Sequence, residues 1–396
     1  MPDASILIAS RDFRDVIAIA SRVLEARSTI PILSMLHCRA NGSFEVSGTD
    51  LDIMLTAKVE HGGGPKREFI LPQALSVSKA VNAGGDQTVS ITSADGKVGI
   101  TSGALALKVG NSLPADDFPG DAAAMAAETF TASLSHEQLR ALSRVAGAVS
   151  TEETRYYLNG VYLHHVEGTT YRAVATDGHR LCFYDLELPD AAGSLAGIIL
   201  PRKTIRLLLG MAGKPAASDS GIGLAVGTTN KPNRETSTAP EKTGSPTRAR
   251  VSLRVGNVAV SVATKLIDGT FPDYKRVVPT DPGKSFLFQA AELRRAVEAV
   301  SAGSGRARAV KIVFDTEGAK IDSHFVDTGI DSTFRVACDH KHAGFEVGFN
   351  GEYLLNMIEA AGPGEFVINT SDAAAPALIK NPADTAWTGI LMPMRV

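Results

Sequence analysis

The chain repeats itself, and the repeat limits its fold more than any other feature. Val46-Ser47-Gly48-Thr49-Asp50-Leu51-Asp52 and Val174-Ala175-Thr176-Asp177-Gly178-His179-Arg180-Leu181 share one layout: a β-rich run, a small residue, Thr-Asp, then a short connection into another strand. The two aspartates lie 127 positions apart (177 − 50), about one domain length. A second pair agrees: Leu71, before Pro72-Gln73-Ala74, and Leu200, before Pro201-Arg202-Lys203, are 129 apart (200 − 71). Two matches at one spacing predict a duplicated unit, and 396 residues leave room for a third.

Helical periodicity fills in the unit. Phe13, Val16, Ile17, Ala20 and Leu24 recur at helical spacing, as do Leu139, Leu142, Val145 and Val149, and then Leu293, Ala296, Val297 and Val300. The opposite faces carry Arg14 and Arg22, Arg140 and Arg144, Arg294 and Arg295; one such face reads as solvated, but its recurrence in every unit asks for more. A second helix follows later in each unit, after Phe69-Ile70-Leu71, Ile198-Ile199-Leu200 and Val347-Gly348-Phe349. Pro72 and Pro201 are expected in the first turn, where a missing amide costs nothing, and Gly84-Gly85, Gly210 or Gly213, and Gly362 at the ends. Alternating runs such as Val89–Thr92, Val161–His164 and Lys311–Phe314 lie between. Each unit is therefore helix, strands, helix, strands, an α+β domain with antiparallel sheet. The expected domains are 1–127, 128–279 and 280–396, and the polar stretch at about 228–250 reads as a solvated loop inserted in the second.

Composition narrows the function. No apolar run approaches the ~18 residues of a membrane helix, and the first residues lack the basic-then-apolar pattern of a secretory signal. Cys38, Cys182 and Cys338 are odd in number and far apart, which fits a reducing cytoplasm better than a disulfide framework. The net charge of −3 gives no global hint of nucleic acid but allows a local basic surface. Enzyme signals fail one by one. Asp177 and His179 lack a nearby nucleophile. Gly283-Lys284-Ser285 has Val278 where a phosphate loop needs glycine. His164-His165 alone makes no metal site. The reading is of no catalytic residues, no metal and no cofactor. Two features remain: the apolar run Ile390-Leu391-Met392-Pro393-Met394-Arg395-Val396, with methionines suited to an adaptable groove, and the segment Phe271-Pro272-Asp273-Tyr274-Lys275-Arg276-Val277, echoed by Leu113–Pro119.

Taken together, Arg27-Ser28-Thr29-Ile30-Pro31-Ile32-Leu33, Leu113–Pro119, Arg155-Tyr156-Tyr157-Leu158-Asn159-Gly160, Ala175–Leu181, Lys265–Val277 and Met392-Pro393-Met394-Arg395 resemble the bacterial DNA polymerase III beta subunit, the sliding clamp. The likeness runs through nearly the whole chain except the insertion. It implies three structurally similar clamp domains, with paired helices against antiparallel sheets, closed head to tail as a homodimeric ring around double-stranded DNA. Phosphate contacts there are independent of sequence and allow sliding. It implies a non-catalytic processivity factor that tethers the DNA polymerase III alpha subunit, and binds the clamp loader and other proteins carrying a clamp-binding motif, through a short apolar peptide. The positions matching the family's peptide pocket are Leu158, Thr176, Gly178, His179, Arg180, Leu181, Pro272, Arg276, Val277, Met392, Pro393, Met394 and Arg395. Those matching its DNA contacts are Arg27, Arg155, Tyr156, Tyr157 and Lys203. The edge strand Ala106-Leu107-Lys108-Val109-Gly110 is expected at the dimer interface, where Lys108 and Gly110 depart from the apolar pattern. A clamp-like interaction protein that keeps the pocket but has an altered ring is the alternative.

Overall fold

The computed structural model describes residues 5–25, 28–60, 65–94, 97–110, 112–120, 125, 127–211, 221–228, 246–281, 283–302, 309–325 and 329–395. Among these are six α-helices: α1 (Ser10–Ala20), α2 (Ala74–Gly84), α3 (His136–Ala146), α4 (Arg202–Met211), α5 (Ala290–Ser301) and α6 (Gly351–Ala361). The periodic apolar positions are the buried ones. Phe13, Val16, Ile17 and Ala20 on α1, and Leu293, Ala296 and Val297 on α5, are fully buried. Local chemistry sets the starts. Ser135 and Gln138 cap α3 reciprocally, each side chain accepting the other's backbone N–H at 3.0 and 2.8 Å. The Asn350 side chain accepts the N–H groups of Glu352 and Tyr353 at the start of α6.

Two of the expected helix starts are corrected. Pro72 and Pro201 lie before their helices: α2 begins at Ala74, behind Gln73 in the left-handed region (φ 52°), and Pro201 closes the strand Ile198–Pro201. Pro201 sits in an edge strand of its sheet, where a residue without an N–H is tolerated. Leu24 lies beyond α1, which ends at Ala20, and Gly210 is inside α4 rather than after it.

The chain divides into two compact units, residues 1–139, 188–195 and 203–266 in the first and 140–187, 196–202 and 267–396 in the second. Each contains one nine-stranded and one four-stranded sheet, antiparallel throughout. In the second unit the large sheet joins strand Arg180–Glu187 to Asp384–Leu391, with Leu181 opposite Ile390. In the first, Val258–Lys265 lies against Ile53–Glu60, with Ala263 opposite Met54. Each large sheet thus draws strands from two of the repeats. The four-stranded sheets end on Leu105–Val109 in the first unit and on Ile330–Val336 in the second. Lys108 sits on the exposed face of its strand with Ala106, while Leu105, Leu107 and Val109 share the half-buried face.

The polar insertion is shorter than its composition suggests. Thr228 ends the strand Ile222–Thr228 and Arg248–Arg250 open the strand Arg248–Val255, the two pairing with Gly227 opposite Arg248. Ala249 and Val251 alternate inward between half-buried arginines, so period-two burial holds a segment whose composition reads as loop. Residues 229–245 lie outside the described residues.

Candidate peptide-docking and DNA-contact sites

The Thr-Asp turn has one internal chemistry in both copies. In the second unit the Asp177 carboxylate accepts the N–H groups of His179 (2.9 Å) and Arg180 (3.0 Å). The Thr176 hydroxyl donates to the Arg180 carbonyl (2.7 Å) and accepts the Gly178 N–H (3.1 Å). In the first unit Asp50 accepts from Asp52 (3.0 Å) and Ile53 (2.7 Å), while Thr49 donates to the Ile53 carbonyl (2.9 Å) and accepts from Leu51 (3.0 Å). These are side-chain-closed turns, and they oblige the residue after the aspartate to adopt positive φ: 91° at Gly178, 76° at Leu51. Asp177 is therefore a turn former. Its second oxygen takes the Arg180 Nε at 3.0 Å, so both carboxylate oxygens are engaged within the turn.

The same position in each turn holds the end of a neighbouring strand. The His179 carbonyl accepts the Met392 N–H at 2.9 Å, and the Asp52 carbonyl accepts the Lys265 N–H at 2.8 Å. The backbone is alike and the side chains are opposite. In the first unit Lys265 Nζ lies 2.8 Å from the Asp52 carboxylate, an ion pair across the turn. In the second, Met392 and Met394 stay 39% and 40% exposed, and Met394 is held by its N–H to the Gly348 carbonyl at 2.9 Å. Pro393 is half-buried between them and Arg395 is exposed.

Beside this turn, α6 contributes Tyr353. Its ring lies 6.0 Å from that of His179 and 4.6 Å from the Arg180 guanidinium, close enough for a cation–π contact. The Arg180 side chain is only 10% exposed, and its Nη1 has no hydrogen-bond partner among the described residues. Beneath lies an apolar cluster of Leu158, Val174, Leu181, Phe183, Ile199, Phe271, Tyr274 and Ile390. Leu158 and Leu181 belong to this buried floor rather than to the accessible wall, at 4% and 3% exposed, because each is drawn in by its strand or 3-10 turn. Phe271 stacks on Tyr162 at 4.8 Å, and the Tyr274 hydroxyl lies 3.0 Å from His164 Nε2. Burial pushes the Tyr274 phenol up and the His164 imidazole down. This framework fixes the segment that presents Pro272, Arg276 and Val277 outward; Val277 is 46% exposed and Arg276 is paired with Asp273 at 3.0 Å.

Three of the five residues expected at DNA share one 3-10 segment, Glu153–Leu158, whose last residue anchors in the apolar floor. Arg155 forms two hydrogen bonds to Glu152 (2.7 and 2.6 Å), and this pairing holds the Glu152 carboxyl below its ordinary range. Tyr156 is 53% exposed and meets Tyr157 edge-on at 5.8 Å. A Cβ at Gly178 would come within 2.8 Å of the Arg155 guanidinium, so the 3-10 segment abuts the Thr-Asp turn. Lys203 lies in the first unit, in the first turn of α4, bound to Asp50 and 3.6 Å from Glu25. Arg27 lies outside the described residues.

The repeated arginines divide. Arg144 is corrected from a solvated position: it pairs with Asp384 at 2.6 Å, donates to the Ala360 and Ala361 carbonyls at the end of α6, and lies 5.8 Å from the Trp387 ring. Its charge offsets a helix C-terminus. Arg14 and Arg22 donate to Asn82 and to the Gly210 carbonyl, and Arg294 lies 3.6 Å from Glu298 and Glu359. Among the described residues, no group of three or more His, Cys, Asp or Glu is placed to hold a metal ion, and no helix is long and apolar enough to cross a membrane.

Comparison with known proteins then settles the family. Residues 133–273 match the DNA polymerase III beta subunit, central domain, and residues 275–395 match its C-terminal domain. The Caulobacter vibrioides beta sliding clamp is 33% identical over 394 residues, covering 94% of this chain and 95% of that protein. The chain belongs to the beta sliding clamp family. The Pseudomonas aeruginosa beta sliding clamp is 27% identical, with 94% and 95% covered. Among solved structures, the sliding clamp of Bartonella birtlesii bound to griselimycin has a TM-score of 0.84 at 31% identity, covering 99% of both chains. A Caulobacter crescentus sliding clamp gives 0.84 at 29% identity, with 99% of this chain and 100% of that chain covered. The fold of this sliding clamp is α+β with structurally similar domains of helices against antiparallel sheet, as its sequence resemblance implied.

The sequence pattern singles out the segment holding Phe271 and Tyr274 but points to neither Tyr353 nor Phe183 beside the expected peptide pocket. For Tyr353 the available signal was the Asn350 cap, which fixes the helical register three residues on.

Proposed function

We propose that this sliding clamp works as a head-to-tail homodimer closed around duplex DNA, and that it holds the DNA polymerase III alpha subunit, the clamp loader and other motif-bearing proteins by a peptide docked in the second unit. Its working domains are 1–127, 128–279 and 280–396, it acts in the cytoplasm, and it is a processivity factor rather than an enzyme. The contrast between the two Thr-Asp turns carries the reading. One backbone design ends in an ion pair in the first unit and in exposed methionines beside Tyr353 and an apolar floor in the second. An apolar peptide gains by covering the second and gains nothing at the first. His179, Arg180, Pro272, Arg276, Val277 and Met392 through Arg395 form the accessible wall, Thr176 and Gly178 set its shape, and Leu158 and Leu181 support it from below.

Ring closure is supported by the open edges. Each four-stranded sheet has two outer strands, and among them are Leu105–Val109 in the first unit and Ile330–Val336 in the second. Antiparallel pairing between two copies would satisfy both, and the outward position of Lys108 keeps its charge off the half-buried face. Arg155, Tyr156, Tyr157, Lys203 and Arg27 contact DNA phosphates. Titrating a labelled C-terminal peptide of the replicative polymerase tests the docking site. Micromolar binding abolished by Arg180→Ala and Met392→Asp is expected; binding untouched by both substitutions would overturn it.

A further inference from the structure

We infer that Asp50 and Glu25 are built-in counterions that set how firmly Lys203 grips a nucleic-acid phosphate, a role that rests on the reading of Lys203 as a DNA contact. The difference between the two Thr-Asp turns is the starting point. In the second unit the free oxygen of the turn aspartate is neutralised within the turn by Arg180. In the first unit the residue at that position is Ile53, so the Asp50 oxygen has no partner in its own turn, and Lys203 takes it.

The two carboxylates differ in freedom. The Asp50 side chain is 3% exposed and its other oxygen holds two backbone N–H groups, so it cannot follow the lysine. Glu25 is half exposed at 3.6 Å and can swing away. Lys203 also borders a pocket of about 330 Å³ lined by Arg22, Val23, Arg206, Leu207 and Gly210, where the Arg22 guanidinium is likewise tied to a backbone carbonyl. Of the cations facing that pocket, Lys203 is the one held by carboxylates among the described residues. A lysine free of partners adds about 0.9 to the slope of log affinity against log salt when it binds duplex phosphate. A lysine that must leave two carboxylates adds less, because they take up solution cations as it goes. The result is a weaker, less salt-sensitive grip, which suits a protein that must slide.

The test is a double-mutant cycle on the full chain. Binding of a fluorescent linear duplex is followed by anisotropy from about 50 to 200 mM salt. Asp50→Asn keeps the acceptor oxygen that closes the turn, Glu25→Gln changes an exposed group, and Lys203→Ala removes the cation. Thermal melts show whether Asp50→Asn remains folded; if it does not, Glu25→Gln carries the test. The carboxamide variants are expected to bind more tightly at low salt and to steepen the slope, by at most about 0.9 when both carboxylates are removed, an extra loss of up to about 3.5-fold across that range. Both effects should vanish in the Lys203→Ala background. An increase that persists without Lys203 is a general field effect and overturns the inference. If Lys203→Ala weakens binding while neither carboxamide variant alters it, the counterion role is refuted and the DNA contact stands. If Lys203→Ala changes nothing, the contact and the role fall together.

Discussion

Removing Met392–Val396 separates docking from folding. The deletion takes away Met392 and Met394, whose side chains are at present about two-fifths exposed. Complete burial of a methionine contributes about 1.5–3 kcal/mol, so covering the remaining two-fifths contributes about 1 kcal/mol for each. Losing both therefore costs about 2 kcal/mol of binding, about a 30-fold rise in Kd, before Arg395 and Pro393 are considered. The fold loses little. Ile390 and Leu391 are buried within the strand Asp384–Leu391, which remains paired on both sides. Among the described residues, the deleted stretch makes two backbone hydrogen bonds, to the His179 and Gly348 carbonyls, worth about 1 kcal/mol each. Calorimetry with a polymerase-derived peptide measures the first quantity, and a thermal melt limits the second to a fall of less than about 8 °C. Binding within threefold of the intact chain would refute the docking assignment. A loss of cooperative unfolding would show that the tail is structural instead.

Other consequences follow from particular contacts. Arg144→Met should destabilise the second unit by about 2–3 kcal/mol in urea unfolding, because Asp384 and two helix-end carbonyls lose their donor, with duplex affinity unchanged. Leu51→Gly should stabilise by about 0.5–1 kcal/mol, since leucine stands there at φ 76°, whereas Gly178→Ala at φ 91° should destabilise by a similar amount and weaken peptide binding. Acid should weaken the fold through two histidines. Burial lowers the pKa of His37 and of His164 below the ordinary 6.5, so the unfolded chain binds more protons and the stability is lost as pH falls below 6.5 toward the folded values. His164→Gln should flatten that acid slope in urea titrations between about pH 7 and 5.

What the sequence discloses divides by range. The Thr-Asp turns are legible because Thr49, Asp50, Thr176 and Asp177 close them with bonds spanning at most four residues. The helix stripes are legible because Phe13 through Ala20 and Leu293 through Val300 answer to one period. The proposed docking wall is not. His179 meets Met392 only because strand Arg180–Glu187 pairs with Asp384–Leu391, and Tyr353 arrives on a helix that no local pattern aims at Arg180. Arg144 is misread for the same reason: its partners lie more than 200 residues away, and a helical arginine without them reads as solvated. Resemblance to the clamp family grouped Met392–Arg395, Arg180, Leu158 and Leu181 before any contact was visible; that Leu158 and Leu181 are buried follows from their place in the apolar cluster.

Retention on DNA tests the central claim most directly. The chain is loaded by its clamp loader onto nicked circular DNA, filtered through a sizing column at high salt, and its mass is read by sedimentation. A ring predicts a dimer that stays on the circle in salt and is released once the circle is cut. A strict monomer, or a protein that leaves circular and linear DNA equally fast, would contradict the account.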